Sequence, residues 1–219
     1  SISNMFGKKK SLFTSNGTTA IWLLLKALGI KGKKIIVPSN LCFVANCAII
    51  LSDNIVHFID IDQDYSIDPL QLEKCESQDI GGIIFPHMYG NIGNINHVMK
   101  IAKDKDWIVI EDVCQALGSK NDGKNAGSFS EFSVTSFGTG KIVDMGKGGV
   151  LSTNSESIFK AAYENYNKLK IVNEEINLAA IRFGKLYSFF IESIEYGDDF
   201  HRFGEPLIRT YKDVFINRI

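Results

Sequence analysis

The chain has 219 residues, 45% hydrophobic and 22% charged, with a net charge of −1. This is the composition of a globular domain large enough for a real core, and its balance gives no electrostatic support to a nucleic-acid or anionic-membrane partner. Its longest apolar runs, such as residues 45–51, are far shorter than the roughly 20 residues a membrane helix needs.

Four cysteines, Cys42, Cys47, Cys75 and Cys114, lack CxxC spacing. They read as reduced, mostly buried thiols, not as disulfides or zinc ligands, so no metal site is expected. No signal-peptide pattern opens the chain, and a cytoplasmic protein is expected. Both ends are abrupt, as in a piece of a longer protein.

Residues 10–15 read as a short strand, followed by Asn16-Gly17-Thr18-Thr19. Residues 20–28 are apolar nearly all round, which predicts a buried helix, ended by Gly29 and Gly32. Residues 34–37 form a strand closed by Pro38, 43–51 an apolar helix, and 55–61 a strand running into Asp60-Ile61-Asp62. Asp68-Pro69 opens a helix to about Cys75, with proline in the first turn. Residues 82–85 are a buried strand, 95–103 an amphipathic helix and 107–110 a fourth apolar strand; 132–137 and 149–153 add two more. Short continuous apolar strands alternating with helices predict an α/β domain, with a mostly parallel sheet covered on both faces. Beyond Asn154 the pattern turns helical, over 155–169, 174–194 and 206–216. The expected division is a large domain over 1–153 and a helical tail over 154–219.

In open α/β sheets, ligands sit beyond the carboxyl ends of the strands. Several polar groups fall at such ends. The Ser15-Asn16-Gly17-Thr18-Thr19 turn opens a helix, either as plain capping or as an anion site. Asp112 closes the strand 107–110, with Gln115 three residues on, and serves as a cap or as a ligand for something cationic. His87 and Tyr89 follow another strand, where they line a pocket or shape the loop through Gly90. Finally, Gly138-Thr139-Gly140 delivers a single lysine, Lys141, with Ser136 five residues before it. A phosphate cradle, a carboxylate and an amine together suit pyridoxal 5′-phosphate. That cofactor needs an anion site, a lysine for covalent attachment and an acid to keep its ring nitrogen protonated. No GxGxxG follows the first strand, so a nicotinamide or flavin fold is not indicated.

The ordered motifs Ser15-Asn16-Gly17-Thr18-Thr19-Ala20, Val37-Pro38-Ser39, Phe58-Ile59-Asp60-Ile61-Asp62, Ile67-Asp68-Pro69, Pro86-His87-Met88-Tyr89-Gly90, Ile110-Glu111-Asp112-Val113-Cys114-Gln115-Ala116-Leu117-Gly118 and Ser136-Phe137 with Lys141 and Gly146-Lys147-Gly148-Gly149 resemble those of the DegT/DnrJ/EryC1/StrS sugar aminotransferases. The resemblance covers residues 11–153 and implies the large domain of a fold-type I pyridoxal-phosphate enzyme, a three-layer sandwich. It implies that Lys141 and Asp112 are catalytic, Lys141 binding the cofactor aldehyde and moving the proton, Asp112 pairing with the pyridine nitrogen. It gives the phosphate to Gly17, Thr18 and Ser136, the neighbourhood of the 3-hydroxyl to Gln115, and substrate contacts to His87 and Tyr89. The family's ring-covering aromatic falls at Cys42, with Phe43 next to it, and Lys147 stands where the family has glutamate. Further implied are a nucleotide-linked keto sugar as acceptor, glutamate as amino donor, a pyridoxamine 5′-phosphate form of the cofactor, and a homodimer. Family members are much longer and carry a small domain whose motifs are not found in 154–219, so an inactive or truncated cofactor-binding homologue is the alternative.

Overall fold

The structure is a computed structural model and describes residues 1–76 and 78–171, together with residues 178, 185 and 216. After a short helix α1 (Ile2–Met5), strands and helices alternate. In chain order they are β1 (Lys10–Thr14), α2 (Gly17–Ala27), β2 (Lys34–Pro38), α3 (Phe43–Leu51), β3 (Ile55–Ile59), α4 (Pro69–Glu73) and β4 (Ile80–Pro86). Then follow α5 (Ile95–Asp104), β5 (Ile108–Asp112), a small hairpin of β6 (Lys120–Asn121) and β7 (Lys124–Asn125), β8 (Phe132–Ser136), β9 (Gly149–Thr153) and α6 (Glu156–Asn167).

Seven strands make one sheet in the order β1-β9-β8-β5-β4-β2-β3. β3, β2, β4, β5 and β8 are parallel, and β9 lies antiparallel between β8 and β1. The expected mostly parallel sheet, covered on both faces, is what forms. Alternation along each strand separates two cores. Ile35, Val37, Ile84, Ile110, Val134 and Leu151 face the layer of α2, α3 and α6. Ile36, Ile83, Phe85 and Val109 face the layer of α4 and α5. Leu23, Leu24 and Leu25 of α2 are wholly buried, each contributing on the order of 1.5–3 kcal/mol.

Three expectations need correction. The strand from Ile55 stops at Ile59, because residues 60–68 turn back on themselves: Asp62 N donates to Ser66 O (3.0 Å) and Asp68 N to Asp60 O (3.1 Å). The helix opened by Pro69 is shorter than expected and ends at Glu73. Of the four cysteines, all free thiols, only Cys47 is buried; Cys75 and Cys114 are half-buried and Cys42 is exposed.

Helix α6 begins at its Ser155 cap, whose hydroxyl accepts from Ile158 N (3.3 Å), and its Ala162 is buried in the α2 core. The helices expected over 174–194 and 206–216 lie outside the described residues, apart from isolated positions. Among the described residues, no helix is long and apolar enough to cross a membrane.

Candidate active site at the strand ends

Strand β1 delivers Thr14 to a tight turn into α2. Asn16 takes an extended backbone and its Oδ1 accepts from Thr19 N at 2.7 Å, which starts the helix at Gly17. The first turn of α2 therefore presents Gly17 and Thr18 at the positive end of an 11-residue helix. A Cβ on Gly17 would lie 3.1 Å from the Ser136 Cβ, so a side chain there would fill the cradle between α2 and the end of β8.

Beyond Ser136 the chain runs through residues 137–148, the loop that carries Lys141, and returns as β9. This loop is tied down at its base: Phe137 N donates to Gly148 O and Met145 N to Phe137 O, both at 2.9 Å. Asp144 accepts from Gly140 N (2.9 Å) and Gly146 N (2.7 Å), bonds that hold its carboxyl below the usual range. Gly148 N donates to Ser15 O at 2.8 Å and so fastens the lysine loop to the α2 turn. At the next residue the two segments meet so closely that a Cβ on Gly149 would stand 2.3 Å from the Asn16 carbonyl carbon. Gly149→Ala should destabilise the chain by about 1–3 kcal/mol through overpacking, read as a lowered urea midpoint.

Asp112 ends β5. Its carboxylate is mostly buried, and Oδ1 accepts from Cys114 N at 2.9 Å, which fixes the side chain. Burial and the nearby Asp112 carboxylate push the Cys114 thiol well above its ordinary value, so it stays protonated and is no nucleophile.

These groups converge. Gly17, Thr18, Asp112, Gln115, Ser136 and Lys141 all line one cavity of 410 Å³, within the roughly 300–1,000 Å³ of small-molecule sites. The sequence reading missed its apolar walls, Ile21, Leu41, Val44 and Ala45. Ile21, Val44 and Ala45 were legible only as helix-face residues and Leu41 only as part of the turn before α3, because which residues meet a cavity depends on tertiary packing. An anion end, a carboxylate and an amine around one hollow are the donor set that pyridoxal phosphate requires.

The remaining expectations divide. Cys42 lines the cavity but Phe43 does not: it opens α3 with 42% exposure, while Val44 and Ala45 form the wall. His87 lines the cavity, as the sequence allows, but its ring is buried. Its Nε2 donates to Glu111 Oε2 (2.9 Å) and its Nδ1 faces Ile92 O (3.3 Å). Both ring nitrogens thus face acceptors. Glu111, wholly buried, also accepts from Gly127 N (2.7 Å), Ser130 N (2.6 Å) and Ser130 Oγ (3.1 Å). The buried Lys8 amine donates to Ser130 O in turn. Tyr89 lines a neighbouring hollow instead of this cavity, and its N–H donates to Gln115 Oε1 at 3.2 Å.

A family model described as the DegT/DnrJ/EryC1/StrS aminotransferase family matches residues 1–172. A GDP-perosamine synthase of Caulobacter vibrioides is 31% identical over 156 residues, 69% of this chain and 42% of that protein. A UDP-4-amino-4,6-dideoxy-N-acetyl-beta-L-altrosamine transaminase of Campylobacter jejuni is 36% identical over 159 residues, 70% of this chain and 42% of that protein. A crystal structure of NtdA from Bacillus subtilis with bound cofactor PMP superposes with a TM-score of 0.70 at 29% identity, covering 78% of this chain and 39% of that one. The chain spans about two fifths of the length of the curated relatives it matches.

Proposed function

We propose, from the premise that the chain belongs to the DegT/DnrJ/EryC1/StrS aminotransferase family, that it is the pyridoxal-phosphate-binding part of an aminotransferase acting on a nucleotide-linked keto sugar. The observation that carries this reading is the meeting of Lys141, Asp112 and the α2 N-terminus around one cavity at the strand ends. The names of the relatives, a GDP-perosamine synthase and a UDP-amino-sugar transaminase, support the substrate class.

In this arrangement Gly17, Thr18 and Ser136 hold the phosphate, using helix N–H groups and hydroxyls. Asp112 holds the proton on the pyridine nitrogen, and its own bond to Cys114 N keeps it aimed. The oxygen of the Gln115 amide is engaged by Tyr89 N, which leaves its NH₂ to donate near the 3-hydroxyl. Cys42, with Leu41 and Val44, excludes water from one side. When bound, the cofactor supplies an electron sink for the carbon that loses a proton. Lys141 Nζ removes that proton from the α-carbon of the amino donor, glutamate in this reading, as general base and delivers it as general acid. In the sugar half-reaction the same amine acts in the reverse order.

The reading places the protein in the cytoplasm, in keeping with four free thiols, and as a homodimer whose partner completes the site. The span of about two fifths of its relatives favours a second reading, a cofactor-binding domain that needs further segments for turnover.

One titration tests both. Added pyridoxal phosphate should give the visible band of the lysine-bound cofactor, and glutamate should then bleach it. A band that forms but resists glutamate selects the second reading, and no band at all defeats both. Asp112→Asn should keep the band yet slow the glutamate step by about 10²–10³-fold, the scale of removing one preorganised charged group, as measured by stopped-flow absorbance.

A further inference from the structure

Beside the lysine-bearing cavity lies a second hollow, of 500 Å³, lined by Asp64, Tyr65, Met88, Tyr89 and Asn91. Met88 lines both hollows, so the two adjoin. Its two tyrosines share an unusual set of properties. Each has a left-handed backbone, with φ of +66° at Tyr65 and +55° at Tyr89, a conformation costly for a bulky side chain and found where a site requires it. Each is exposed, at 56% and 69%, so burial does not compensate for that cost. Their rings meet edge to face, with centroids 5.5 Å apart and planes at 87°. Neither hydroxyl has a hydrogen-bond partner among the described residues.

The strained backbone is held from two other segments and by one bond across the corner. Asn40 Nδ2 donates to Tyr65 O (3.0 Å), Asn91 Nδ2 to Asp64 O (3.0 Å), and Tyr89 N to Gln115 Oε1 (3.2 Å). Within the turn, Asp62 Oδ1 accepts from Asp64 N (3.1 Å) and Asp64 Oδ1 from Ser66 N (3.0 Å). The bond to Gln115 ties the aromatic corner to a side chain of the transfer site itself. What is held so firmly is a right-angled corner of two exposed aromatic rings, in a hollow that adjoins the cavity of the amine through Met88.

We propose that Tyr65 and Tyr89 form the seat of the nucleobase of a nucleotide-linked substrate, the base stacking on one ring and meeting the edge of the other. The proposal rests on the reading of the adjoining cavity as the transfer site. A nucleotide sugar carries its reactive carbon at one end and a flat heterocycle at the other. Lys141 lines the first hollow and not the second, so the reacting sugar belongs to the first. The second offers what a base needs: aromatic surface, which any base accepts through its π-face, and two phenolic hydroxyls that donate or accept. Burial works to raise the Asp64 carboxyl, but bonds from Asp62 and Ser66 outweigh it and hold the group below its ordinary value. At neutral pH Asp64 is therefore an acceptor, suited to the ring N–H of guanine or uracil.

The test is calorimetric titration of the 219-residue chain, loaded with pyridoxal phosphate, with GDP, with UDP and with inorganic diphosphate as the base-free probe. We expect GDP or UDP to bind at least about tenfold more tightly than diphosphate. Tyr65→Ala and Tyr89→Ala should each weaken that binding by about 5–150-fold, the range measured for losing one base–aromatic stack, with the cofactor band unchanged. Tyr65→Gly separates binding from folding: glycine relieves the left-handed backbone, so this variant should melt no lower than the parent while losing the same affinity. Equal binding of nucleotide and diphosphate, or tyrosine variants that bind like the parent, would overturn the base seat and leave the cofactor reading standing. A change from dimer to monomer in the tyrosine variants would make the corner a subunit contact and also overturn it. Failure of the parent to take up pyridoxal phosphate defeats the reading of the first cavity, and this proposal with it.

Discussion

Lys141→Ala should remove the visible band that forms with pyridoxal phosphate and should lower any transfer rate by about 10²–10⁴-fold, the contribution of a positioned general acid–base group. Lys141 is the only lysine that lines the cavity among the described residues, so no other amine stands ready to take its place. The change should leave the fold intact. Lys141 sits half-exposed in a loop whose anchoring bonds are made by backbone groups and by Asp144, and surface substitutions of this kind stay within about 0.5 kcal/mol. Lys141→Arg is the sharper control: it keeps the positive charge but cannot shed a proton at any working pH. Absorbance titration of both variants checks the expectation, and an unchanged band in either would assign the attachment to a different amine.

Glu111→Ala should be the most destabilising of the substitutions considered. It leaves the buried His87 imidazole without its carboxylate, and the N–H groups of Gly127 and Ser130 without an acceptor. Leaving a buried donor without its acceptor costs about 1–3 kcal/mol, so the three together, at about 2–4 °C per kcal/mol for a chain of this size, lower the melting temperature by at least roughly 6 °C. Glu111→Gln, able to accept at one oxygen, should fall between.

The pH dependence has a definite sign. Burial alone would raise the Glu111 carboxyl, but the bonds from His87, Ser130 and Gly127 outweigh it and leave the folded value below the ordinary one. The stability that Glu111 contributes is therefore fully present above the ordinary carboxylate value of about 4.3. It is lost as pH falls toward and through the lowered folded value. Urea midpoints measured between neutral and acid pH should converge for the parent and the alanine variant. A gap that stays constant down to strong acid would mean that the carboxylate's charge is irrelevant.

Local pattern reported most of this molecule. Continuous runs such as Ile35-Ile36-Val37 and Ile83-Ile84-Phe85 read as two-sided strands because each residue has a core to face. The glycine-flanked Lys141 and the strand-end Asp112 were legible because strand ends, loops and parallel sheets have a fixed relation to a binding crevice. Contacts between segments were not. Nothing in the run Ile110-Glu111-Asp112 says that Glu111 points into the interior at His87, 24 residues away; that follows from the register of β4 against β5. Phe43 and Cys42 were indistinguishable in sequence, since one residue of rotation at the start of α3 decides which faces the cavity. The hairpin of β6 and β7 went unread although Asn121-Asp122-Gly123-Lys124 carries its signal. Asp122 and Gly123 both take positive φ (49° and 77°), as a two-residue hairpin turn demands.

The place of β1 in the sheet has a consequence for how the protein is made. Among the described residues its one strand neighbour is β9, with Lys10 opposite Thr153 and Thr14 opposite Gly149. Strand β1 therefore leaves the ribosome long before its mate, and with it the helix whose first turn faces the cavity. Until Thr153 has been translated, the nascent chain carries an unpaired edge and an almost wholly apolar helix, the kind of exposure that slows maturation and invites aggregation. Ligand recognition at that turn is thus completed only after β9 has been made, although the residues that form the turn are synthesised well before it.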